Sequence, residues 1–353
     1  MSSSQFEQKL IKQIEPVLAP ASPGVQVQVH QGGRKICDIS VGETYPYYDL
    51  ASLTKIIFTT QLMMKAFDEG RWNLETKVKD ILSWFPYSAL LIKDLLTHFS
   101  GLTWWFPIYK KLDLNASRVD RWTESARIIR DLQLENEHKD ESVYSDIGFI
   151  LLGHILEGLY SLPLLDLWTR TKETFYPGTS LEFHENNQPK AKVQYYAPTE
   201  RCLWRGRTLQ GEVHDENAWS FGGISSHAGL FGSVDDVSWF GFFVRSQLRG
   251  ISKTAIRQKT AQVFASRARP SGKGDWALGY MMPTPGSASC GIYFSPYSIG
   301  HTGFTGTSIW YDPSIDLIVT ILSNRVFLGR ENKEFVKLRP QIHNWIIEGL
   351  RRT

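Results

Sequence analysis

The chain has 353 residues and a net charge of +3, and it is long enough to bury a full hydrophobic core and to form two lobes. Acidic and basic residues are interspersed, so no basic stripe or acidic tail indicates binding to nucleic acid or to a membrane surface. The three cysteines, Cys37, Cys202 and Cys290, are odd in number and far apart, which argues against a disulfide framework or a thiolate metal site.

The N-terminal residues lack the charged, then apolar, then small pattern of an export signal, and no later apolar run reaches membrane-spanning length. We therefore expect a cytoplasmic protein without a membrane span. This expectation changes to the periplasm if the N-terminus has been trimmed or misassigned.

The N-terminal part of the chain combines a helix pattern with a hairpin pattern. A helix is predicted over residues 5–18. Valines then alternate with polar residues over 25–29, and Gly32-Gly33 turns the chain into a second strand over 35–41. This hairpin indicates the beginning of an antiparallel sheet.

The C-terminal part carries further strands, predicted over residues 307–311 and 317–323 and joined by a turn over 312–314. A closing helix over 334–352 is expected to be kinked or interrupted by Pro340. Other expected elements are a helix over 233–247 opened by a capping box, a helix starting after Ser252, and weaker strands over 279–282 and 291–294.

The middle of the chain is helical or irregular. Helices are predicted over residues 78–82, 92–97, 123–134, 147–159 and 164–174. The segment 181–219 has no clear periodicity, and a loop of that length in a compact domain is usually functional or lies over a site.

Strand patterns at both ends and helices between them predict an α+β fold. An antiparallel sheet flanked by helices would form one α/β lobe from residues 1–70 and 222–353. Residues 71–221 would form a second, α-rich lobe.

The stretch over residues 48–55 places Ser52 at the start of a helix, with Lys55 three residues later on the same helical face. Residues 56–67 are apolar on nearly every face, which indicates a buried helix. Burial should lower the pKa of Lys55 unless a carboxylate compensates, and a serine beside a neutral lysine is a nucleophile beside a base. The alternative is that this S-x-x-K pattern arises by chance and that Lys55 extends to solvent.

Two further stretches give this pattern a context. Tyr144-Ser145-Asp146 precedes an apolar helix, and His301-Thr302-Gly303-Phe304 opens a predicted strand. With Ser52-x-x-Lys55, these stretches have the order and approximate spacing of the three motifs of the penicillin-recognising serine hydrolases. The chain resembles the branch that contains class C β-lactamases, DD-carboxypeptidases and β-lactamase-like esterases. Residues 94–102 and 227–231 also resemble the family, so the resemblance covers most of the chain and implies a β-lactamase/transpeptidase-like fold.

The resemblance implies a role for each motif residue. Ser52 would be the acylated nucleophile, Lys55 its proton-accepting partner, and Tyr144 a phenolate or proton shuttle. Tyr144 can be a base at neutral pH only if Lys55 or another cation lowers its pKa. The alternative for Tyr144 is a packed aromatic ring whose hydroxyl is hydrogen-bonded.

The same resemblance implies how substrate would be held. The backbone N–H groups of Ser52 and Phe304 would form the oxyanion hole, and Gly303 would allow close approach of the backbone to the substrate. Asp146, His301 and Thr302 would also line the substrate site.

Two residues depart from the usual family pattern. Asp146 replaces an asparagine, and a carboxylate would hold Lys55 in its charged form and leave more of the work to Tyr144. His301 replaces the commoner lysine and, as a neutral imidazole, provides no fixed charge for a substrate carboxylate. Efficient β-lactamase activity is therefore not expected.

These features favour a DD-peptidase or an esterase, acting on a D-alanyl cell-wall peptide or on a small ester. No metal or organic cofactor is implied. The rival hypothesis is a catalytically impaired ligand-binding protein on the same scaffold.

Other polar and aromatic stretches allow two interpretations each. A metal site or loop bracing could explain the cluster at residues 212–217 with His227. An aromatic wall or lobe packing could explain residues 104–106. Arg205 and Arg207 could bind a substrate carboxylate or be solvated, whereas His98 and His154 are expected to be structural.

Overall fold

The computed structural model describes residues 3–134, 141–251, 255–270 and 273–351. The strands are β1 (Gly24–Gln31), β2 (Arg34–Gly42), β3 (Tyr48–Asp49), β4 (Glu182–Phe183), β5 (Arg201–Cys202), β6 (Arg207–Thr208), β7 (Leu230–Gly232), β8 (Ile299–Thr302), β9 (Ser308–Asp312) and β10 (Leu317–Ser323). The α-helices are α1 (Ser3–Leu18), α2 (Thr60–Asp68), α3 (Val78–Ile81), α4 (Ile92–Leu96), α5 (Arg118–Arg130), α6 (Asp146–Tyr160), α7 (Leu164–Phe175), α8 (Glu216–Ser220), α9 (Val234–Arg249), α10 (Gln258–Phe264) and α11 (Glu334–Leu350).

The main sheet is assembled from both ends of the chain. Its five strands lie in the order β2-β1-β10-β9-β8, and every neighbouring pair is antiparallel. The N-terminal strand β1 pairs with β10 from Val25 opposite Ser323 to Gln31 opposite Leu317. The expected antiparallel sheet with flanking helices is therefore confirmed.

The two faces of this sheet are covered by different layers. Alternate residues such as Trp310 and Val319 pack in one apolar cluster with residues of α1 and α11. Their neighbours Ile309 and Ile318 pack on the other face, in a cluster that also contains residues of α2, α6 and α9. The second cluster extends across the boundaries of the two predicted lobes, and the division into lobes stays a prediction.

Helix α6 lies in the interior of the helical region. Ser145 caps it, with its side chain accepting a hydrogen bond from the Gly148 N–H, and its residues from Ile147 to Leu156 are buried. A helix that is apolar all round is stable only when other elements surround it. The position of α6 is important for the site because Tyr144 and Asp146 flank its cap.

Most sequence-predicted elements are present, with shifts at their ends. Helix α5 begins earlier than expected because Ser117 caps it, and α11 continues through Pro340 without interruption. The predicted strands over 279–282 and 291–294 are wrong: the former contributes only isolated bridges at Met281, and the latter is irregular. The expected helix start after Ser252 falls on residues outside the described ones.

Candidate active site

Ser52 follows a strained residue at the start of the buried helix. Ala51 has a φ of +47°, a left-handed value that is unfavourable for a residue with a side chain. The buried Asp49 carboxylate holds this bend, since it accepts from the Ala51 N–H at 2.8 Å and from the His214 N–H at 2.7 Å. The bend presents the partly exposed Ser52 side chain at the entrance of the helix.

Lys55 is completely buried and is the first residue of a π-helical segment, Lys55–Thr59, that continues into α2. Short π-helical segments often occur at functional sites. The Lys55 Nζ donates to Ser52 Oγ at 3.0 Å, to Asp146 Oδ1 at 2.7 Å and to the backbone oxygen of His227 at 2.9 Å. All three ammonium protons thus have an acceptor, which orients the amine toward Ser52.

Tyr144 contacts Ser52 from the helical region. Its hydroxyl donates to Ser52 Oγ at 2.7 Å, so this oxygen accepts from both Tyr144 and Lys55. The next residue, Ser145, donates its backbone N–H to His98 Nδ1 at 3.0 Å, and the His98 ring lies 4.6 Å from the Tyr144 ring. The three motif side chains of Ser52, Lys55 and Tyr144 therefore form one hydrogen-bonded group.

The protonation of this group follows from burial and the Asp146 charge. Burial disfavours the Lys55 ammonium, but Asp146 and Tyr144 outweigh that effect and raise the pKa of Lys55 above its ordinary value. Burial raises the pKa of Tyr144 to about 12, although the Lys55 ammonium acts in the opposite direction. The lowering by Lys55 does not outweigh burial, so the Tyr144 pKa stays above its ordinary value and Tyr144 is a protonated donor at neutral pH.

The turn between β8 and β9 is attached to the Ser52 loop. Thr305 Oγ1 donates to the backbone oxygen of Asp49 at 2.8 Å, and Thr307 Oγ1 donates to the backbone oxygen of Leu50 at 3.1 Å. A Cβ atom on Gly303 would lie 2.1 Å from Thr307 Oγ1 and 2.7 Å from the Leu50 oxygen, so a side chain there would separate the two segments. Glycine is needed for this close approach.

Phe304 lies at the tip of the same turn and is 45% exposed. Throughout the described ranges, the backbone N–H groups of Ser52 and Phe304 have no hydrogen-bond partner. Unpaired N–H groups beside a nucleophile are what an oxyanion hole requires. The assignment of these two groups to that role stays a prediction.

His301 and Thr302 end strand β8 beside the site. His301 pairs with Ile309 and faces the same side of the sheet, where its ring lies 6.0 Å from that of Tyr144. Burial and the nearby Lys55 charge lower the pKa of His301 to about 3, so its imidazole is neutral. Thr302 Oγ1 contacts Met281 Sδ at 3.9 Å. Neither His301 nor Thr302 therefore supplies a positive charge to the site.

The polar cluster on the long loop braces the site. Asp215 contacts His227 Nε2 at 2.9 Å, and the His227 backbone oxygen in turn accepts from Lys55. Among the described residues, no group of three or more histidine, cysteine, aspartate or glutamate side chains is arranged to hold a metal ion. The bracing interpretation therefore agrees with these contacts.

The two loop arginines contact other residues of the same loop. Arg205 donates to the backbone oxygens of Val213 and His214, and Arg207 forms a two-pronged ion pair with Glu212. Both guanidinium groups are thus used within the loop. The expectation of a solvated side chain is wrong for buried Arg205, whereas binding of a substrate carboxylate by either arginine stays a prediction.

An aromatic surface adjoins the site. Trp104 is 59% exposed, its ring stacks on Trp105 at 5.9 Å, and its backbone oxygen accepts from the Asp146 N–H at 2.9 Å. This last contact fixes the tryptophan pair next to the cap of α6. The wall interpretation suits Trp104, whereas Trp105 is partly packed.

Sequence reasoning did not identify three contributors to the site. They are Asp49, which holds the bend before Ser52; His98, which supports the Tyr144 segment; and the backbone oxygen of His227, which binds Lys55. His98 and His227 lie in family-like stretches, but only the tertiary contacts indicate what their atoms do. Asp49 gave no separate signal, because its partners are distant or backbone groups.

No single helix among the described residues is long and apolar enough to cross a membrane. The pair α6 and α7, bent by 80°, would qualify by length and composition alone.

A serine hydroxyl held between a lysine and a tyrosine, beside the edge of an antiparallel sheet, is the arrangement of an active-site-serine hydrolase. A family model described as Beta-lactamase matches residues 10–339. The chain belongs to the β-lactamase family, and its general class is therefore that of the serine hydrolases.

Named relatives differ in their reported activities. The chain is 29% identical over 373 residues to an N-acetylmuramyl-L-alanine amidase of Bacillus subtilis (strain 168), covering 92% of this chain and 82% of the relative. It is also 29% identical over 312 residues to a proposed D-alanyl-D-alanine carboxypeptidase of Salmonella typhimurium (strain LT2), covering 80% of this chain and 70% of the relative.

Solved structures share the fold. EstCE1, a hydrolase with promiscuous acyltransferase activity, superimposes with a TM-score of 0.72 at 16% identity over 97% of this chain and 98% of the other. A β-lactamase from Sulfitobacter sp. EE-36 gives a TM-score of 0.71 at 18% identity and covers 100% of both chains. The expected β-lactamase/transpeptidase-like fold is confirmed.

Proposed function

We propose that this protein cleaves an amide or ester bond by forming an acyl-enzyme at Ser52, as a DD-peptidase or an esterase. The observation that carries the proposal is the position of Ser52 Oγ, 3.0 Å from Lys55 Nζ and 2.7 Å from the Tyr144 hydroxyl. These distances allow proton transfer between the nucleophile and both partners.

The catalytic form has one proton fewer than the resting group. With Lys55 charged and Tyr144 protonated, neither side chain can accept the Ser52 proton, so the pair must first lose a proton as a unit. The deprotonated pair then takes the Ser52 proton while Ser52 Oγ attacks the substrate carbonyl. The proton goes to the leaving group, and the acyl-enzyme remains.

Deacylation reverses these proton movements. The deprotonated Lys55–Tyr144 pair takes a proton from water, and the resulting hydroxide attacks the acyl carbon. That proton returns to Ser52 Oγ when the ester bond breaks. The N–H groups of Ser52 and Phe304 stabilise the oxyanion in both steps.

Neutral His301 affects the choice of substrate. A fixed cation at this position would attract the carboxylate of a β-lactam, and the neutral imidazole lacks that charge. Poor turnover of β-lactams is therefore expected. The names of the two relatives suggest two further substrate classes, muramyl amides and D-Ala-D-Ala peptides. Turnover of both should be compared with turnover of small esters.

Intact-mass spectrometry after treatment with a fluorophosphonate or a penicillin tests the acyl-enzyme. We expect one covalent adduct, located on Ser52 by peptide mapping and absent from Ser52→Ala. An equal adduct on Ser52→Ala would refute the assignment. Turnover of D-Ala-D-Ala peptides, muramyl-L-alanine amides, nitrocefin and p-nitrophenyl esters then identifies the substrate class.

A ligand-binding protein on the same scaffold is the second candidate, and the specific observation behind it is the charged state of Lys55 next to Asp146. This hypothesis expects retention of a substrate without an adduct or product. This hypothesis would be supported if the substrate binds equally to the wild type and to Ser52→Ala at equilibrium and the wild type does not turn it over.

A further inference from the structure

The layer between β9 and α11 contains a group of buried polar side chains on the face of the sheet away from Ser52. Ser308 and Trp310 are two residues apart on β9, and Trp310 packs in the cluster that α11 covers. Arg339 and His343 are one turn apart on α11. The Phe294 ring lies 5.4 Å from His343 and 6.5 Å from Trp310, so both polar side chains border the same region.

Arg339 is a buried cation in this layer. It is 5% exposed, and its Nη1 donates to the backbone oxygen of Thr307 at 3.2 Å. Within the described ranges it forms no ion pair with a carboxylate, and no carboxylate contributes to its pKa. Arg325 lies near enough to add repulsion, and burial with this repulsion lowers the pKa of Arg339 to about 10. A guanidinium removed from water in this way needs a counter-charge.

Four buried polar atoms of the group have no hydrogen-bond partner among the described residues. They are Ser308 Oγ, Trp310 Nε1, Arg339 Nε and His343 Nε2. The indole and guanidinium nitrogens can only donate, and the hydroxyl can also donate. His343 Nδ1 contacts the Arg339 backbone oxygen at 2.9 Å, which makes Nδ1 the protonated nitrogen of the neutral ring and leaves Nε2 as an unpaired acceptor. The layer therefore holds two unpaired nitrogens that only donate, a hydroxyl that can donate, one imidazole acceptor and a net positive charge.

We propose that Arg339, Trp310 and Ser308 bind a small monovalent anion of the size of chloride between β9 and α11. Arg339 is its counter-ion, and Trp310 and Ser308 donate hydrogen bonds to it. A water molecule would satisfy the donors but would leave the guanidinium charge uncompensated, and a metal cation would be repelled by Arg339. This proposal does not rest on the acyl-enzyme proposed at Ser52, although the Arg339 charge helps to lower the pKa of His301.

Anomalous scattering at a long X-ray wavelength tests the occupant directly. For crystals grown in sodium chloride, we expect an anomalous difference peak within hydrogen-bond distance of Arg339 Nε and Trp310 Nε1. Chloride gives such a peak and a water oxygen does not. Absence of the peak, with or without ordinary density for water, overturns the proposal.

Thermal unfolding tests the role of Arg339. At constant ionic strength, replacing gluconate with chloride should raise the Tm by roughly 2 °C, because the anion binds only the folded state. The exposed Lys337 on the same helix provides a control for general salt effects. Lys337→Met should keep the rise and Arg339→Met should lose it. If Arg339→Met does not fold, Trp310→Phe takes its place and should reduce the rise in Tm. A rise in Tm as large as that of the wild type in either variant contradicts the assignment.

Discussion

Lys55 and Asp146 form an ion pair of 2.7 Å in which the lysine side chain is completely buried and the carboxylate side chain is 16% exposed. The pair explains how a lysine can stay charged inside an apolar helix environment. Loss of the carboxylate would leave a buried charge without compensation, which is among the most destabilising changes in a protein interior. Asp146 is thus the main determinant of the Lys55 charge.

Asp146→Asn should move the rising limb of the pH–rate profile to lower pH. The change removes the negative charge that raises the Lys55 pKa and leaves burial, which lowers it. The Lys55–Tyr144 pair then loses its first proton more easily. Measuring kcat/KM for a p-nitrophenyl ester from pH 6 to pH 10 checks this.

Asp146→Glu is the matched control, because it keeps the charge and should keep the limb near its wild-type position. If Asp146→Asn and the wild type show the same limb, the titrating group is not the Lys55–Tyr144 pair. Gain of penicillin acylation by Asp146→Asn would mean that the carboxylate tunes specificity.

Tyr144→Phe should lower kcat/KM by about 10²- to 10⁴-fold and preserve the fold. The phenol is a donor to Ser52 Oγ, whereas the ring contacts with His98 and Trp276 remain in phenylalanine. Ester hydrolysis together with circular dichroism checks both parts. Turnover near the wild-type rate would show that proton transfer does not pass through Tyr144.

His98 should act as a positioning residue for Tyr144. It has a φ of +53°, its Nδ1 accepts from the Ser145 N–H at 3.0 Å, and its backbone oxygen accepts from the Val143 N–H at 2.9 Å. Asparagine tolerates this backbone conformation and offers an acceptor oxygen, whereas leucine does neither.

We therefore expect His98→Asn to retain much more activity than His98→Leu. The pH–rate profile is the decisive measurement, because a displaced Tyr144 changes the pH at which activity rises. Identical profiles with only a lower Tm in His98→Leu would indicate a purely structural role.

Acid should destabilise the fold below about pH 6.5, the ordinary pKa of histidine. Burial lowers the pKa of His154 and His301 to about 3 and that of His343 to about 4. Because the folded values lie below the unfolded value, their stability contribution is present above pH 6.5 and is lost as the pH falls toward the folded values.

Each such histidine contributes a slope of up to about 1.4 kcal/mol per pH unit to the free energy of unfolding. Denaturant unfolding at pH 7.5, 6 and 5 measures this slope. His154→Gln should reduce this slope by the contribution of one histidine. The change removes a single side-chain hydrogen bond among the described residues, the one to the Ser125 hydroxyl. A free energy that does not change between pH 7 and pH 5 would contradict the prediction.

The sequence by itself determined the fold class and the three motif residues that the fold brings together at Ser52. Valine alternation in β1 and apolar repetition in α6 are local patterns, because backbone geometry directs side chains at periods of two and 3.6 residues. The three motifs likewise identified Ser52, Lys55 and Tyr144 by order and residue type. The two irregular segments at 279–282 and 291–294 were mistaken for strands because short apolar runs have no distinctive period.

The tertiary structure decided the charges and the supporting contacts. The pKa values of Lys55 and Tyr144 depend on burial and on Asp146, which is 91 residues from Lys55 in the chain. The same is true of Asp49 before Ser52 and of His98 beside Tyr144. Residue type sets what a side chain can donate or accept, but only folding sets its distance from a partner and from water, and electrostatic energy depends on both.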